Sequence, residues 1–488
     1  METSDDKLER RLYSHDLAPL PKEMDVIFKT MPDQVVRPGY AQEVAQMVVK
    51  ANATMRPIVP RGAGTWGLGG SVPVKGGYVL DMTAMNKVLT LDEKNLSVVV
   101  QPGITWKALA DFLDSKGYFL PCYPSSAPSA TLGGWIATGG TGIGAYKYGS
   151  AGDLIRDMEV VLPTGIMIHT GDKHVPANGG GPNLNWLFVG SEGTYGIVTE
   201  VTFSILPKPE ELRPVAYSFD DLSKFSPALK KLVRSGVTPM HIMFGDRLHF
   251  EYLRAIGKHA PEVGCMITCA LTGSKAAVDL EEKALDEIMA SAGGKKEPKE
   301  TAEHEWEERS YEFRVREMGA GAIPGEILVP IENFENVLRE TDELTKGMKL
   351  KAPIIGTVPD NNTVMLMPYY LTDEHNFLRT TAAMGFGKKL GDIAFKYGGR
   401  PVGLGIFFAG NLAKYRGKEG ANLIRGIKDL LDPNGIMNPG KMVETGTRWG
   451  ISMPALLMNF GMNMMAGMKR LMPRDKIGEK ELSKLKKH

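Results

Sequence analysis

Cysteine is scarce in this chain: Cys122, Cys265 and Cys269 are the three among 488 residues. So few exclude a disulfide framework and point to a reducing compartment, and their spacing cannot hold an iron–sulfur cluster. Two of them fall in "CMITC", a strand-like stretch where small buried side chains are expected rather than ligands. Surplus charge is also missing, because Lys plus Arg number 58 against 57 for Asp plus Glu. No global field therefore gathers nucleic acid or an acidic partner. The N-terminus, "METSDDKLERRLYSHD", lacks the apolar core of a signal peptide, so a cytoplasmic location is expected.

Glycine is abundant, with 56 residues crowded into four places. These are "RGAGTWGLGG" (61–70), "SATLGGWIATGGTGIGAYKYG" (129–149), "NGGGPNLNWLFVGSEGTYGIVTEV" (178–201) and the surroundings of "YGGRPVGLG" (397–405). Small residues at this density let a backbone lie close against a ligand with its N–H groups aimed at anionic oxygens. "GAGTWG" formally matches the G-x-G-x-x-G dinucleotide fingerprint, which needs a strand before it and a helix starting at its last glycine. A helix (Val44, Met47, Val48, Ala51) and the brief strand "RPIVP" do precede it. Downstream, Pro73, the Gly76-Gly77 turn and the run Tyr78 to Leu80 read as turn and strand, which disfavours a Rossmann unit. Between the glycine loops the sequence predicts strands at 96–103 and 196–209, a hairpin over 157–171 turning at Thr164-Gly165, and a helix capped by Thr105 that stops at Gly117.

Six ordered stretches carry a resemblance: "PIVPRGAGT", "VQPGITWKALADFL", "PSSAPSATLGGWIATGGTG", "YGSAGDLIRDMEVVLPTG", "LFVGSEGTYGIVTEVTFSILPKPE" and "IKDLLDPNGIMNPGKM". Over about residues 12 to 445 the chain resembles the FAD-binding flavoproteins of the vanillyl-alcohol oxidase and p-cresol methylhydroxylase superfamily, especially the FAD subunit of glycolate oxidase and D-lactate dehydrogenase. The resemblance implies an α+β fold: a two-part FAD-binding domain at 1–210, an antiparallel-sheet cap with helices on one face at 211–402, and a C-terminal segment, 403–445, returning to the FAD. It places Arg61, Gly62, Ala63, Gly64 and Thr65 on the FAD pyrophosphate, and Ser125, Ser126, Gly133, Gly134 and Thr138 on the second wall. Tyr148, Gly149 and Asp153 fall on the family's "YG…D" turn, Ile197 and Val198 offer backbone contacts, and Asn438 and Lys441 return from the C-terminal end. The first glycine loop has Thr65 and Trp66 where covalent members carry His, so non-covalent FAD is expected. Trp135 and "GGTG" (139–142) depart from Asn-containing family positions.

The match weakens where chemistry is decided. The hydroxy-acid dehydrogenases of the family hold a divalent metal with "GHxGDGNxH" and "EHG"; here "GTVPDNNTVML" (356–366) and "GLGIFFAG" (403–410) stand instead, with Thr357 and Val364 at the two His positions. No metal is expected. Losing the groups that handle the hydroxyl proton costs ~10²–10⁴-fold in rate, so other residues would have to substitute. Candidates are Arg309, Arg314 and Arg316 as a carboxylate clamp and His241, Tyr369 and Tyr370 as base or hydroxyl partner, with Arg314, Tyr369 and His241 foremost. His375 reads as solvated. The implied function is an FAD dehydrogenase acting on a hydroxy acid or related alcohol and passing electrons to an iron–sulfur or other electron-transfer protein. The alternatives are a flavin relay subunit without its own substrate, a peroxide-forming oxidase, and an ether-lipid-synthase-like transferase.

Seven of 27 Met lie between Met453 and Met472, and Leu456, Phe460, Met464, Met468 and Leu471 recur at near-helical spacing. This tail, 446–488, is expected to form an amphipathic helix that docks on a partner subunit, packs back on the FAD domain, or meets the cytoplasmic membrane face through residues 451–487 and the basic side chains from Lys469 to Lys487.

Overall fold

The structure, a computed structural model, describes every residue except 19, 21, 177–179, 311, 319–320, 373–375, 450–451, 454, 472–478, 480–481 and 484–488. His375 thus lies outside the described residues. The chain divides into two compact units: Met1–Gly142, Ser150–Lys208 and Gly403–Met458 form the first, and Ile143–Gly149, Pro209–Val402 and Asn459–His488 the second.

In the first unit the strands Gln34–Arg37 and Ile58–Arg61 both run parallel to Tyr78–Asp81, and Glu2–Ser4 adds an antiparallel edge. The helix Ala41–Ala53 makes the first crossover, burying Val44, Met47, Val48 and Ala51 at i, i+3, i+4 spacing as the sequence predicts. From Arg61 to Tyr78 the chain passes through the glycine loop with no helix, so the fingerprint match is not a Rossmann turn. A five-stranded antiparallel sheet follows, ordered Val88–Asp92, Ser97–Val100, Ile197–Ser204, Ile155–Val161, Met167–His169. The helix Trp106–Ser115 starts where Thr105 Oγ1 accepts from Ala108 N at 3.2 Å, and Gly117 follows it at φ +79°. Trp106 is buried edge-on between Trp135 (5.0 Å) and Phe203 (5.7 Å). The C-terminal segment closes onto the first sheet, with Ile58 N donating to Ile436 O and Asn438 N to Ile58 O, each at 2.8 Å.

The second unit is built on a nine-stranded antiparallel sheet whose central strands are Glu211–Phe219, Cys265–Gly273, His241–Asp246, Ile354–Thr357 and Thr363–Thr372. Alternation assigns Tyr217, Ile242, Phe244, Cys265, Ile267 and Cys269 to one face, packed under the helices Leu222–Leu232, Lys275–Ser291 and Phe334–Gly347. Cys265 and Cys269 are buried core residues. The opposite face is covered too: Ala216 and Met266 pack against Phe250 of the helix Arg247–Ala255 and Ala302 of the helix Lys299–Glu308. The expectation of helices on a single face is corrected accordingly. Both faces of these strands carry apolar residues, so both need cover.

The tail helix forms over Ala455–Leu471, and two members of its apolar stripe do not face the side that packs, while Met468 is half-buried. Phe460 and Met464 are 67% and 52% exposed, whereas Ala466 and Lys469 are buried. The side chains of Leu456 and Leu471 lie outside those described. Ala466 belongs to the core of the second unit, where a Cβ on Gly385 would come within 2.7 Å of its backbone nitrogen. Lys469, expected on a basic outer face, instead places Nζ 5.9 Å from the Tyr370 ring centroid. Among the described residues no helix is long and apolar enough to cross a membrane.

Candidate functional site

The opening glycine loop begins where the strand Ile58–Arg61 ends, and its glycines serve close approach of backbone to backbone. A Cβ at Gly62 would collide with Thr131 Oγ1, and one at Gly134 would lie 2.9 Å from the same oxygen and 3.8 Å from Gly62 Cα. Gly62, Thr131 and Gly134 therefore form one contact between the loop and the helix Leu132–Thr138. Gly133 points elsewhere: its N–H donates to Pro102 O at 2.8 Å, and a Cβ there would sit 2.5 Å from Pro102 Cβ. It spaces the helix from its own underlying turn. Arg61 folds back over Gly64, which adopts φ +68°, donates from Nη1 to His15 O at 2.7 Å, and lies 5.2 Å from the Tyr13 ring.

Behind this loop sits a buried charged cluster. Glu192 accepts from Leu404 N at 3.2 Å and Gly405 N at 2.9 Å, and burial raises its carboxyl to about 7 against those bonds and Lys441. Lys441 Nζ donates to Val72 O at 2.7 Å, and burial pulls its amine down to about 7, with Asp16 and Glu192 opposing. Asp16 accepts from Ala18 N at 2.8 Å and Ser71 Oγ at 3.2 Å, and desolvation raises it. Asn438, at φ +39°, donates from Nδ2 to Gly70 O at 2.9 Å and Glu192 O at 2.7 Å. Below it, Lys428 joins Asp432 and donates to Thr194 O and Met437 O, each at 2.8 Å, tying "DPNGIMNPGKM" into the core.

Two buried polar atoms in this neighbourhood have no protein partner among the described residues, Thr131 Oγ1 and Asn438 Oδ1. An unmet buried group costs ~1–3 kcal/mol, and further such atoms lie elsewhere among the described residues, Tyr370 Oη and Trp106 Nε1 among them.

Of the sequence-derived cofactor residues, the structure gathers Arg61, Gly62, Gly64, Gly134, Asn438 and Lys441. Ala63 and Ser125 are exposed, Thr65 is half-buried, and the carbonyl of Ser126 closes the turn to Ala130 at 2.8 Å. Thr138 Oγ1 donates to Trp135 O, Asp153 caps Ser150, and Tyr148 Oη lies 2.8 Å from Thr272 Oγ1 within the second unit. Ile197 is a core side chain, while Val198 is half-buried. Asp16, Thr131 and Glu192 escaped sequence reasoning; the signal was a lone acid inside "GSEGTYG".

In the second unit, Tyr369 Oη lies 2.9 Å from His249 Nδ1, and burial holds that imidazole down at about 4. His241 is buried 6.3 Å from the Trp306 ring, pulled down to about 3 by desolvation with Arg309 adding. Both imidazoles are neutral at ordinary pH. Arg314 pairs with Glu308 at 2.5 Å, Arg309 Cζ lies 4.2 Å from the Trp306 ring centroid, and Arg316 is exposed. Tyr370 belongs to the helix-covered core, which removes it as a hydroxyl partner for a ligand on the other face. Thr357 pairs across the strands with Met365, whereas Val364 is fully buried under the helices, so these two positions face opposite sides of the sheet. A cavity of about 50 Å³ is bounded by His249, His259, His304, Glu305 and Arg309.

The chain matches the FAD binding domain model over residues 32–171 and the model for the C-terminal domain of FAD linked oxidases over residues 208–442. It is 29% identical over 452 residues to glycolate oxidase subunit GlcD of Bacillus subtilis, covering 90% of this chain and 93% of that protein. It is 28% identical to the probable mitochondrial D-lactate dehydrogenase of Danio rerio, covering 85% of this chain and 84% of that protein. Among solved structures, an alkyldihydroxyacetonephosphate synthase is similar at 25% identity and TM-score 0.72, over 90% of this chain and 83% of that one. Substrate-bound p-cresol methylhydroxylase shares the fold at TM-score 0.77 and 22% identity, over 90% of this chain and 93% of that one. The chain thus belongs to the FAD-linked oxidoreductases that join an FAD binding domain to an FAD-linked oxidase C-terminal domain, and its cofactor is FAD.

Proposed function

We propose that this protein is a dehydrogenase that oxidises a hydroxy acid or related alcohol and hands the electrons to a protein partner, with FAD bound non-covalently and the family's metal site replaced. The observation that supports the FAD placement is the close approach of Gly62 and Gly134 around Thr131, in a segment that matches the FAD binding domain model. In this reading Arg61 to Thr65 cradle the pyrophosphate, Ser125, Ser126, Gly134 and Thr138 form the second wall, and Asn438 and Lys441 hold the loop at Gly70 and Val72 in place. Gly133 acts indirectly by seating the helix on Pro102. Bound FAD supplies a two-electron acceptor for a hydride. Near the substrate, Tyr369 is a hydroxyl partner held by a neutral His249, and Arg309 offers a cation that stays charged. Arg314 and His241 act through neighbours, the one by holding Glu308 and the other by packing on Trp306.

The names of the curated relatives support the hydroxy-acid class. An outlet protein is supported by the three buried cysteines, which cannot hold a cluster within this chain. The exposed Phe460 and Met464 are the side of the tail left for that partner or for a membrane surface. Anaerobic mixing with a panel of hydroxy acids decides the matter: bleaching of the flavin absorbance by one of them supports the dehydrogenase. Bleaching only by reduced electron-carrier proteins replaces it with a relay. The likeness to alkyldihydroxyacetonephosphate synthase favours a second reading, a transferase using FAD without net turnover of electrons, which would leave the flavin unbleached by either class.

A further inference from the structure

The cavity in the second unit has an apolar floor of Met243, Phe250, Met266 and Ile355 and a polar wall drawn from three stretches far apart in sequence. The helix Arg247–Ala255 contributes His249, the following loop Lys258 and His259, and the end of the helix Lys299–Glu308 contributes His304, Glu305, Glu308 and Arg309. Most of these groups are engaged. Lys258 Nζ is 3.2 Å from Glu317, Glu308 holds Arg314, and His249 meets Tyr369. The His259 and His304 rings stand edge to face at 4.9 Å, with His304 Nε2 3.2 Å from the His259 carbonyl oxygen. The Arg309 guanidinium is fixed against Trp306 by its stacking and by donation from Nη1 to Trp306 O at 2.5 Å.

Glu305 differs from its neighbours. Its half-buried carboxyl borders the cavity and has no ion-pair partner among the described residues. Burial raises it to about 7, with His304 opposing and Glu308 adding to the rise. Ionised, it would repel an incoming anion; protonated, it becomes a hydrogen-bond donor. A space of about 50 Å³ holds roughly three to five water-sized groups, which suits a small acid.

We propose that this cavity binds a small carboxylate, met by Arg309, and that Glu305 takes up one proton from solvent as the anion enters. No bond to carbon is made or broken in this step. The choice of a carboxylate rests on the dehydrogenase reading, whereas binding and proton uptake are measured without the flavin reaction.

The probe is oxamate, titrated into the full-length FAD-loaded protein by calorimetry in two buffers of different ionisation heat, with tryptophan emission from Trp306 as a second signal. Linkage to a carboxyl titrating near 7 predicts affinity about tenfold weaker at pH 8 than at pH 6, and uptake approaching one proton per oxamate at pH 8. Glu305→Gln keeps the shape and removes the titration, so its affinity should change less than about twofold over the same range. A slope that survives in Glu305→Gln would assign it to the histidines and overturn the proposal, as would wild-type protein that binds no oxamate at millimolar concentration. Arg309→Gln should weaken binding at every pH by tenfold or more, and unchanged affinity in that variant would also overturn it. Oxamate binding with proton uptake in a protein whose flavin no hydroxy acid bleaches would refute the dehydrogenase and leave the cavity assignment standing.

Discussion

Replacing Gly62 by alanine tests the proposed cofactor cradle at the contact between Gly62 and Thr131. Alanine suits the backbone there, because Gly62 is not among the positive-φ glycines, so the effect is steric alone. The new methyl would overlap Thr131 Oγ1, while Thr131 Cβ at 3.4 Å and Gly134 Cα at 3.5 Å would be in ordinary contact. One oxygen is therefore the whole obstacle, and it must move by about an ångström to reach normal separation. Overpacking of this kind costs ~1–3 kcal/mol. If the glycine loop yields and the FAD site takes that cost, FAD should bind roughly 5–150-fold more weakly, at ~1.4 kcal/mol per decade. Flavin content after gel filtration and the quenching of FAD fluorescence on titration measure it. Thr131→Ala removes the oxygen, so Gly62→Ala/Thr131→Ala should bind FAD no worse than Thr131→Ala alone. Wild-type affinity in Gly62→Ala, or failure of the second change to relieve the first, would refute this account of the contact.

Further expectations concern charge, attachment and metal. Glu192 has a folded-state carboxyl raised to about 7, so its contribution to stability is present below its unfolded value and is lost as pH rises towards and through 7. Glu192→Gln should flatten the Tm-versus-pH curve between pH 5 and 8, and parallel curves for the two proteins would count against the burial argument. Acid precipitation should release all FAD to the supernatant, since residues 61–70 contain no histidine; flavin retained in the pellet would show a covalent link. Chelator treatment should change neither flavin reduction nor Tm, because Thr357 and Val364 stand on opposite sheet faces and lack ligating imidazoles. Stoichiometric metal whose removal abolishes activity would contradict this.

What could be read from the sequence followed from local requirements. A glycine at 62 or 134 announces close backbone approach, and Asn438 and Lys441 of "NPGK" meet the carbonyls of Gly70 and Val72 at the end of the first glycine loop. Asp16 gave no such signal, because an acid in sequence looks the same whether it is solvated or buried near Lys441. The cavity in the second unit was illegible for another reason. His249, His259, His304 and Arg309 converge only after strand pairing fixes which helices cover the second face of the sheet. In the tail, periodicity marked the large residues Phe460 and Met464, while packing chose Ala466 opposite Gly385. Close helix contact favours small side chains, and hydrophobic patterning is blind to them.

The Asn438 side chain meets Gly70 O across 368 positions of chain, and Lys441 reaches Val72 across 369. A ribosome adding ~5–20 residues per second needs about 20–70 s to travel that distance. Throughout that interval the first sheet has its glycine loop but not the residues that brace it, and every residue of the second unit's sheet is made while the first remains unfinished. Contacts this remote are also the slowest to form once available, since loop closure precedes any gain from them. On the proposed placement of FAD, the loop that holds it is therefore braced only after the whole sheet of the second unit has been synthesised.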